Sequence, residues 1–293
     1  MRIELSDKIK EAAEAILKAD AVLITTGAGM GVDSGLPDFR GDTGFWKAYP
    51  PIAKLGISFY EMANPEWFSR DPEFAWAFYG HRLNLYRNTE PHKGYQQLLS
   101  IVQSKNQNYF AFTSNVDGQL QKAGFDEQRM EECHGSIHHF QCCEPCCNTI
   151  WSAKYTDVDV DEECFRALPP LPACPQCRGT ARPNILMFGD WGWLQGRTSG
   201  QSKRMGHWLN SVEKNTEKLV IIEIGAGKAV PTVRYKSESI TTKDHDVLIR
   251  INPRDYDVPH GHIGIPLGGA EGIDLIYKQF QILSRKLSKS GTK

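Results

Sequence analysis

No stretch of the 293 residues is apolar for long enough to span a bilayer, which takes about 20 consecutive apolar residues. A membrane association is therefore not expected. The start, MRIELSDKIKEAAEAI, lacks the basic-then-apolar order of a secretory signal, so the expectation is a soluble, cytoplasmic protein. An excess of either charge is also missing. The 34 Lys and Arg against 35 Asp and Glu leave a net charge of -1, which argues against a broad hold on nucleic acid. Repeats and low-complexity tracts are absent. Cysteine is missing from both ends of the chain, since all eight lie between Cys133 and Cys177. That clustering speaks against a disulfide framework and for a metal site in a reducing compartment. What is present is 40% apolar residues, enough for one large domain or a large domain with a small one.

Periodicity predicts a helix over 6–19, with Ser6 as its N-cap and Ile9, Ala12, Ala13, Ile16 and Leu17 on one face. A strand at 21–26 follows. The aromatic, turn-rich 41–51 reads as a mobile cover over a ligand. Pro72 suits a first helical turn, which predicts a helix over 72–87 whose aromatics serve packing. Another helix is expected at 92–104, a strand at 108–113 and a short one at 131–134. Residues 138–182 are rich in cysteine, proline and charge and read as a small metal-supported insertion, leaving 1–137 and 183–293 as the larger domain. An apolar strand at 184–188, a helix at 199–215, strands at 219–224 and 247–251 and a helix at 270–285 complete the pattern. The unbroken apolar runs suit buried parallel strands. Alternating strands and helices predict an α/β fold with a doubly wound parallel sheet, whose ligand sits at the strand carboxyl ends. Gly27, Asn115, His134, Gly225 and Asn252 each follow an expected strand.

The chemistry concentrates in three places. The run AVLITTGAGMGVDSGLPDFRG at 21–41 is a strand entering a glycine-rich turn, where Gly27, Gly29 and Gly31 allow close backbone approach. Bare N–H groups there could hold a phosphate. The dinucleotide fingerprint G-x-G-x-x-G fails, because Val32 stands at the third glycine position. Further on, Cys174-Pro-Gln-Cys177 is a C-x-x-C pair, and CCEPCC spans 142–147 upstream of it. Two thiolate pairs fit a tetrahedral, closed, structural zinc. Spacing alone leaves open whether Cys142 or Cys143 joins Cys146. Finally, TSNVD at 113–117 and HG at 134–135 place an amide, a carboxylate and an imidazole after strands.

Together GAG-x-x-x-x-SG-L-PDFRG, TSNVD, HG, the cysteine pairs and Phe188-Gly-Asp190 resemble the sirtuins, the NAD-dependent protein deacylases, over about 10–285. The resemblance implies a Rossmann-like domain with a small zinc-binding module, and NAD as co-substrate. It implies that nicotinamide leaves as the acyl oxygen of lysine attacks ribose C1′, giving free lysine and O-acyl-ADP-ribose. His134 would be the general base and Asn115 a second catalytic group, with Asn115 and Asp117 holding ribose and carboxamide. Gly27, Ala28, Gly29, Asp38, Phe39, Arg40, Gly225, Ala226, Gly227 and Asn252 would bind NAD. Among the cysteines it favours Cys142 with Cys146, Cys174 and Cys177. His138 and His139 have no counterpart and read as structural.

The substrate side implied is an acyl-lysine protein or peptide, with Phe188 and Gly189 beside it. Tyr79-Gly-His-Arg82 resembles the Y-x-x-R pair of sirtuins that remove acidic acyl groups, where Arg and Tyr would pair with a succinyl or malonyl carboxylate. The sequence departs from the family at Ser114, which stands for glutamine, at Gly225-Ala-Gly227, which stands for G-T-S, and at Asp190 with Trp191 and Trp193. These departures keep alternatives open: mono-ADP-ribosyl transfer, NAD hydrolysis, or a non-catalytic NAD-binding regulator.

Overall fold

Burial on both faces lets the apolar runs around 21–26, 219–224 and 247–251 form strands without polar alternation. The computed structural model describes residues 2–37, 41–241 and 245–290. Its helices are α1 (Arg2–Lys18), α2 (Gly41–Ala48), α3 (Pro50–Lys54), α4 (Phe59–Met62), α5 (Trp67–Arg70), α6 (Pro72–Asn88), α7 (Lys93–Gln103), α8 (Gln119–Lys122), α9 (Gly196–Lys214), α10 (Thr232–Ile240) and α11 (Gly269–Ser290). The strands are β1 (Ala21–Thr26), β2 (Tyr109–Thr113), β3 (Met130–Glu132), β4 (Gly135–Cys142), β5 (Ile150–Ser152), β6 (Val160–Asp161), β7 (Arg166–Ala167), β8 (Ala181–Ile185), β9 (Leu219–Ile224), β10 (Val247–Ile251) and β11 (Ile263–Ile265).

Six parallel strands form one sheet in the order β11-β10-β9-β1-β2-β3. The chain leaves β1 in one direction through β2 and β3, then returns to the other side through β9, β10 and β11. The order reverses between β1 and β9, the kind of crevice in which doubly wound folds bind ligands. A smaller antiparallel sheet, β5-β4-β8, and the pair β6-β7 stand apart from it.

Successive strand residues point to opposite faces. Val22, Ile24, Ile222 and Ile249 share a core with Ile16 of α1, Leu98 of α7 and Ile273 of α11. Leu23, Phe112, Ile221 and Leu248 face the other way, onto Met205 of α9 and Val233 of α10. Each such side chain contributes about 1.5–3 kcal/mol on full burial. A third core is aromatic: Phe68, Trp76, Phe78 and Tyr79 pack with Phe45, Tyr49 and Ile52, and with Ile137 and Phe140 of the small sheet. The aromatics of α6 therefore do serve packing. Among the described residues no helix is long and apolar enough to cross a membrane.

Three local expectations are corrected. Helix α1 starts at Arg2, so Ser6 lies inside it and does not cap it. Residues 41–51 are not a turn-rich cover but lie in α2 and the start of α3, because Phe45, Tyr49 and Ile52 are drawn into the aromatic core. The strand expected at 184–188 is β8, and it pairs antiparallel with β4 instead of joining the parallel sheet.

Candidate active site

A cavity of about 610 Å³ opens at the carboxyl ends of the parallel strands. That is within the range of small-molecule sites, about 300–1,000 Å³. The sheet side supplies Gly27, Ala28, Asn115, Asp117, His134 and the run Gly225, Ala226 and Gly227. Helix α6 supplies Tyr79, Arg82 and Tyr86, and the segment after β8 supplies Phe188, Gly189 and Trp191. Gly29 and Asn252 do not line it. Asp38, Phe39 and Arg40 lie outside the described residues.

The two glycine segments pack backbone against backbone. A Cβ on Gly225, whose φ is +67°, would sit 2.4 Å from Gly29 C, and one on Gly27 would sit 2.8 Å from Ala226 Cα. Close packing explains these glycines as much as ligand approach does. Several of their donors are used by the protein itself: Gly27 N donates to Ile224 O at 3.0 Å, Gly29 N to Gly225 O at 3.0 Å and Gly225 N to Ile251 O at 2.9 Å. This narrows the expected phosphate cradle. Among the described residues, the N–H groups of Ala28, Ala226 and Gly227 have no protein acceptor, and all three residues line the cavity. Val32 also finds its reason. The third fingerprint glycine serves close helix–strand packing, yet the loop after β1 continues as two short 3₁₀ turns, Ala28–Met30 and Val32–Ser34.

Asn115 is fixed by its amide, whose Nδ2 donates to Gly27 O at 3.0 Å, and by its backbone N, which donates to Thr113 Oγ1 at 3.0 Å. Asn252 is fully buried. Its Nδ2 donates to Ala226 O at 2.8 Å, and its Oδ1 accepts from Arg254 N and Asp255 N at 3.0 and 2.9 Å. It shapes the 225–227 loop from behind. Desolvation lifts the Asp117 carboxyl to about 6, against the pull of the hydrogen bond from Gln119 N, with Glu132 adding to the rise and Arg82 opposing it. Desolvation also lowers the His134 pKa below its usual 6.5, with the Ser114 backbone acting in the opposite sense, so the ring is neutral at physiological pH. His138 is structural as expected: its Nε2 donates to Asp117 O at 2.9 Å.

On α6, Arg82 lies among three rings, its guanidinium carbon 5.2, 5.7 and 5.4 Å from the centroids of Phe78, Tyr79 and Tyr86. Its Nε and Nη2 donate to Tyr86 Oη at 3.1 and 2.8 Å. Tyr86, one helical turn beyond Arg82, was not singled out in the sequence, although the four-residue spacing places it on the same face. The Tyr79 hydroxyl is buried with no partner among the described residues, and desolvation pushes its pKa up to about 12. It stays protonated and able to donate.

Two further supports escaped the sequence reading. His92 Nε2 donates to Met30 O at 2.9 Å while Nδ1 accepts from Gly94 N at 3.1 Å, which ties the glycine loop to the start of α7. Glu132, two residues before His134, is gripped by α9: its N donates to Gln201 Oε1 at 3.0 Å, its O accepts from Thr198 Oγ1 at 3.2 Å, and its carboxylate pairs with Arg197. Apart from Gly94, these partners lie 62–69 positions away, so no local motif marks them.

Away from the cavity, the Sγ atoms of Cys142, Cys146, Cys174 and Cys177 all lie within 4.8 Å of one another. The 142–177 and 146–174 pairs are each separated by 3.6 Å. Tetrahedral zinc with bonds of about 2.3 Å sets its sulfurs about 3.8 Å apart, so the four thiols are grouped as that ion needs. Cys143 is excluded from the set, its Sγ lying 3.7 Å from Ser69 Oγ.

A doubly wound sheet with a cavity at its switch point and a four-cysteine module beside it defines a nucleotide-binding α/β protein of a zinc-supported kind. Comparison with known proteins narrows this. The model of the Sir2 family matches residues 27–203. An NAD-dependent protein deacylase of Thermus thermophilus is 26% identical over 280 residues, covering 92% of this chain and 94% of the relative. One from Aquifex aeolicus is 32% identical over 170 residues, 58% of this chain and 62% of the relative. Among solved structures, a Sir2 homologue in complex with NAD superposes with a TM-score of 0.68 at 26% identity, covering 93% of this chain and 94% of that one. A Sir2 protein bound to acetylated peptide shares the fold, with a TM-score of 0.65 at 18% identity, covering 94% of this chain and 99% of that one. The chain belongs to the Sir2 family.

Proposed function

We propose that this protein is an NAD-dependent lysine deacylase that converts NAD, acyl-lysine and water to nicotinamide, free lysine and O-acyl-ADP-ribose. The observation that carries the reading is a single cavity joining Asn115, Asp117 and His134 at the strand ends to the aromatic wall of α6. When bound, NAD supplies the nicotinamide glycosidic bond that is broken and the ribose that receives the acyl group. The free N–H groups of Ala28, Ala226 and Gly227 suit its anionic phosphates. Gly27, Gly29, Gly225 and Asn252 keep the two loops in register for that task, and Asp38, Phe39 and Arg40 of the PDFRG motif bind NAD with them. Asn115 and Asp117 hold the ribose and carboxamide. Neutral His134 takes a proton from a ribose hydroxyl. An acyl-lysine protein or peptide lies against Phe188 and Gly189, with the acyl end between the Tyr79 hydroxyl and Arg82, a pairing suited to a carboxylated acyl group. Zinc on Cys142, Cys146, Cys174 and Cys177 supports the 138–182 module and takes no part in the reaction. The clustering of all eight cysteines between Cys133 and Cys177 suits a metal-supported module in a reducing cytoplasm.

Replacement of the base tests this. His134→Ala should lower acyl-lysine turnover by about 10²–10⁴-fold, the usual contribution of a general base, at unchanged melting temperature and zinc content. For the native enzyme the acid limb of kcat/KM against pH should fall below 6.5, as the lowered His134 pKa of the free enzyme requires. Undiminished turnover in the variant would sink the assignment.

A further inference from the structure

Trp191 is 99% exposed, yet the turn that presents it is rigid. The Asp190 carboxylate accepts from Arg182 Nη1 and Nη2 at 2.7 and 2.8 Å, from Gly192 N at 3.1 Å and from Met187 N at 3.3 Å. The side chains of this ion pair are 1% and 0% exposed. Asp190 thus anchors the turn from within, leaving the indole beside it in solvent at the cavity rim.

Its surroundings are apolar. Leu186 and Val230, which line the same cavity, are 39% and 49% exposed. Tyr60 stacks on Phe188 with centroids 4.4 Å apart. Among the described residues, the acidic, basic and imidazole side chains lining the cavity are Arg82, Asp117, His134 and Asp190, and none of them is exposed. A rim where Trp191, Leu186 and Val230 stand exposed beside the stacked Tyr60 and Phe188 favours an apolar occupant. It is continuous with the acyl-lysine cavity, so what rests on it is the chain attached to the lysine.

We infer that Trp191 is a specificity-determining residue, selecting acyl-lysine substrates that carry an aliphatic or aromatic residue within two positions of the modified lysine. The inference rests on the deacylase reading. Residues one and two positions away in an extended peptide cover both of its faces, so one of them meets the indole.

The test uses acyl-lysine peptides with Leu or Asp placed in turn at each of the four flanking positions. Turnover with saturating NAD, and calorimetric binding in the presence of ADP-ribose, are measured for the native enzyme and for Trp191→Ala. At one position or more, the native enzyme should favour Leu by about tenfold or more in KM, as for a buried aromatic anchor. Trp191→Ala should raise KM for that Leu peptide to the Asp value, leave KM for NAD unchanged, and Trp191→Phe should restore part of the preference. Equal KM values at all four positions in the native enzyme, or a preference that survives Trp191→Ala, would overturn the role of Trp191 while leaving deacylation standing. A native enzyme that neither binds nor turns over any of the peptides would overturn the deacylase reading and this inference with it.

Discussion

Asp117 sits where its charge is least welcome, with desolvation and Glu132 holding its carboxyl near 6 against the ordinary 3.8. The folded protein therefore binds this proton more tightly than the unfolded chain does. Its contribution to stability is present below pH 3.8 and is lost as pH rises through about 6. At pH 7.5 the ionised group is a liability retained for function. Asp117→Asn, which keeps the acceptor for Gln119 N, should raise stability by about 1–3 kcal/mol at pH 7.5, discounted for partial exposure. The gain should disappear below about pH 4 while deacylation is lost. Denaturant titrations at the two pH values check it, and a loss of stability at pH 7.5 would contradict the placement of the charge. Arg82 makes the complementary case. Arg82→Met should cut turnover of succinyl- and malonyl-lysine peptides roughly 10–100-fold, the worth of a charged hydrogen bond, with acetyl-lysine turnover changed less than about threefold. Equal loss on all three peptides would argue against a carboxylate clamp. His134, Asn115, Asp117, Tyr79 and Arg82 were legible in the sequence because short motifs carry them. His92 and Glu132 were not, because their work is done on partners that only the fold brings near, whereas Tyr86, four residues from Arg82 on the same helix, had a local signal that went unused.

Among the elements, the four-cysteine cluster resolves what spacing left open. Strand β4 ends at Cys142, whose Sγ lies 3.6 Å from that of Cys177, whereas Cys143 turns towards Ser69. Cys174→Ser should remove bound zinc and lower stability by more than about 4 kcal/mol, as losses of structural metal do. Cys143→Ser should leave zinc content unchanged. Metal analysis with thermal melting distinguishes them, and zinc loss in Cys143→Ser would reverse the ligand assignment. Strands β9 and β10 were read to the residue, since an apolar run bounded by polar residues leaves little choice of ends. The 41–54 helices and β8 were misread for opposite reasons. Residues 41–51 have the composition of a turn until their aromatics find a core, whereas of the apolar run 184–188 only Asn184 and Ile185 are strand, closing β8 beside β4.

At the scale of the whole molecule, the sheet order places β1 and β9 side by side, and with them the glycine segments that follow each. Helix α9 then links two functional regions: it follows the turn bearing Trp191 and grips Glu132 next to the histidine segment. Nucleotide loops, base and substrate turn thus converge on one cavity from segments spread between residues 27 and 233. Alternating strand and helix patterns announced the parallel sheet, but convergence across such distances has no local signature. The central claim is that this cavity couples NAD cleavage to acyl removal. Mass spectrometry of the products formed from NAD and acetyl-, succinyl- and malonyl-lysine peptides tests it most directly. The account predicts nicotinamide, free lysine peptide and O-acyl-ADP-ribose in equal amounts for at least one acyl group; ADP-ribose attached to protein, or free ADP-ribose with the acyl-lysine untouched, would contradict it.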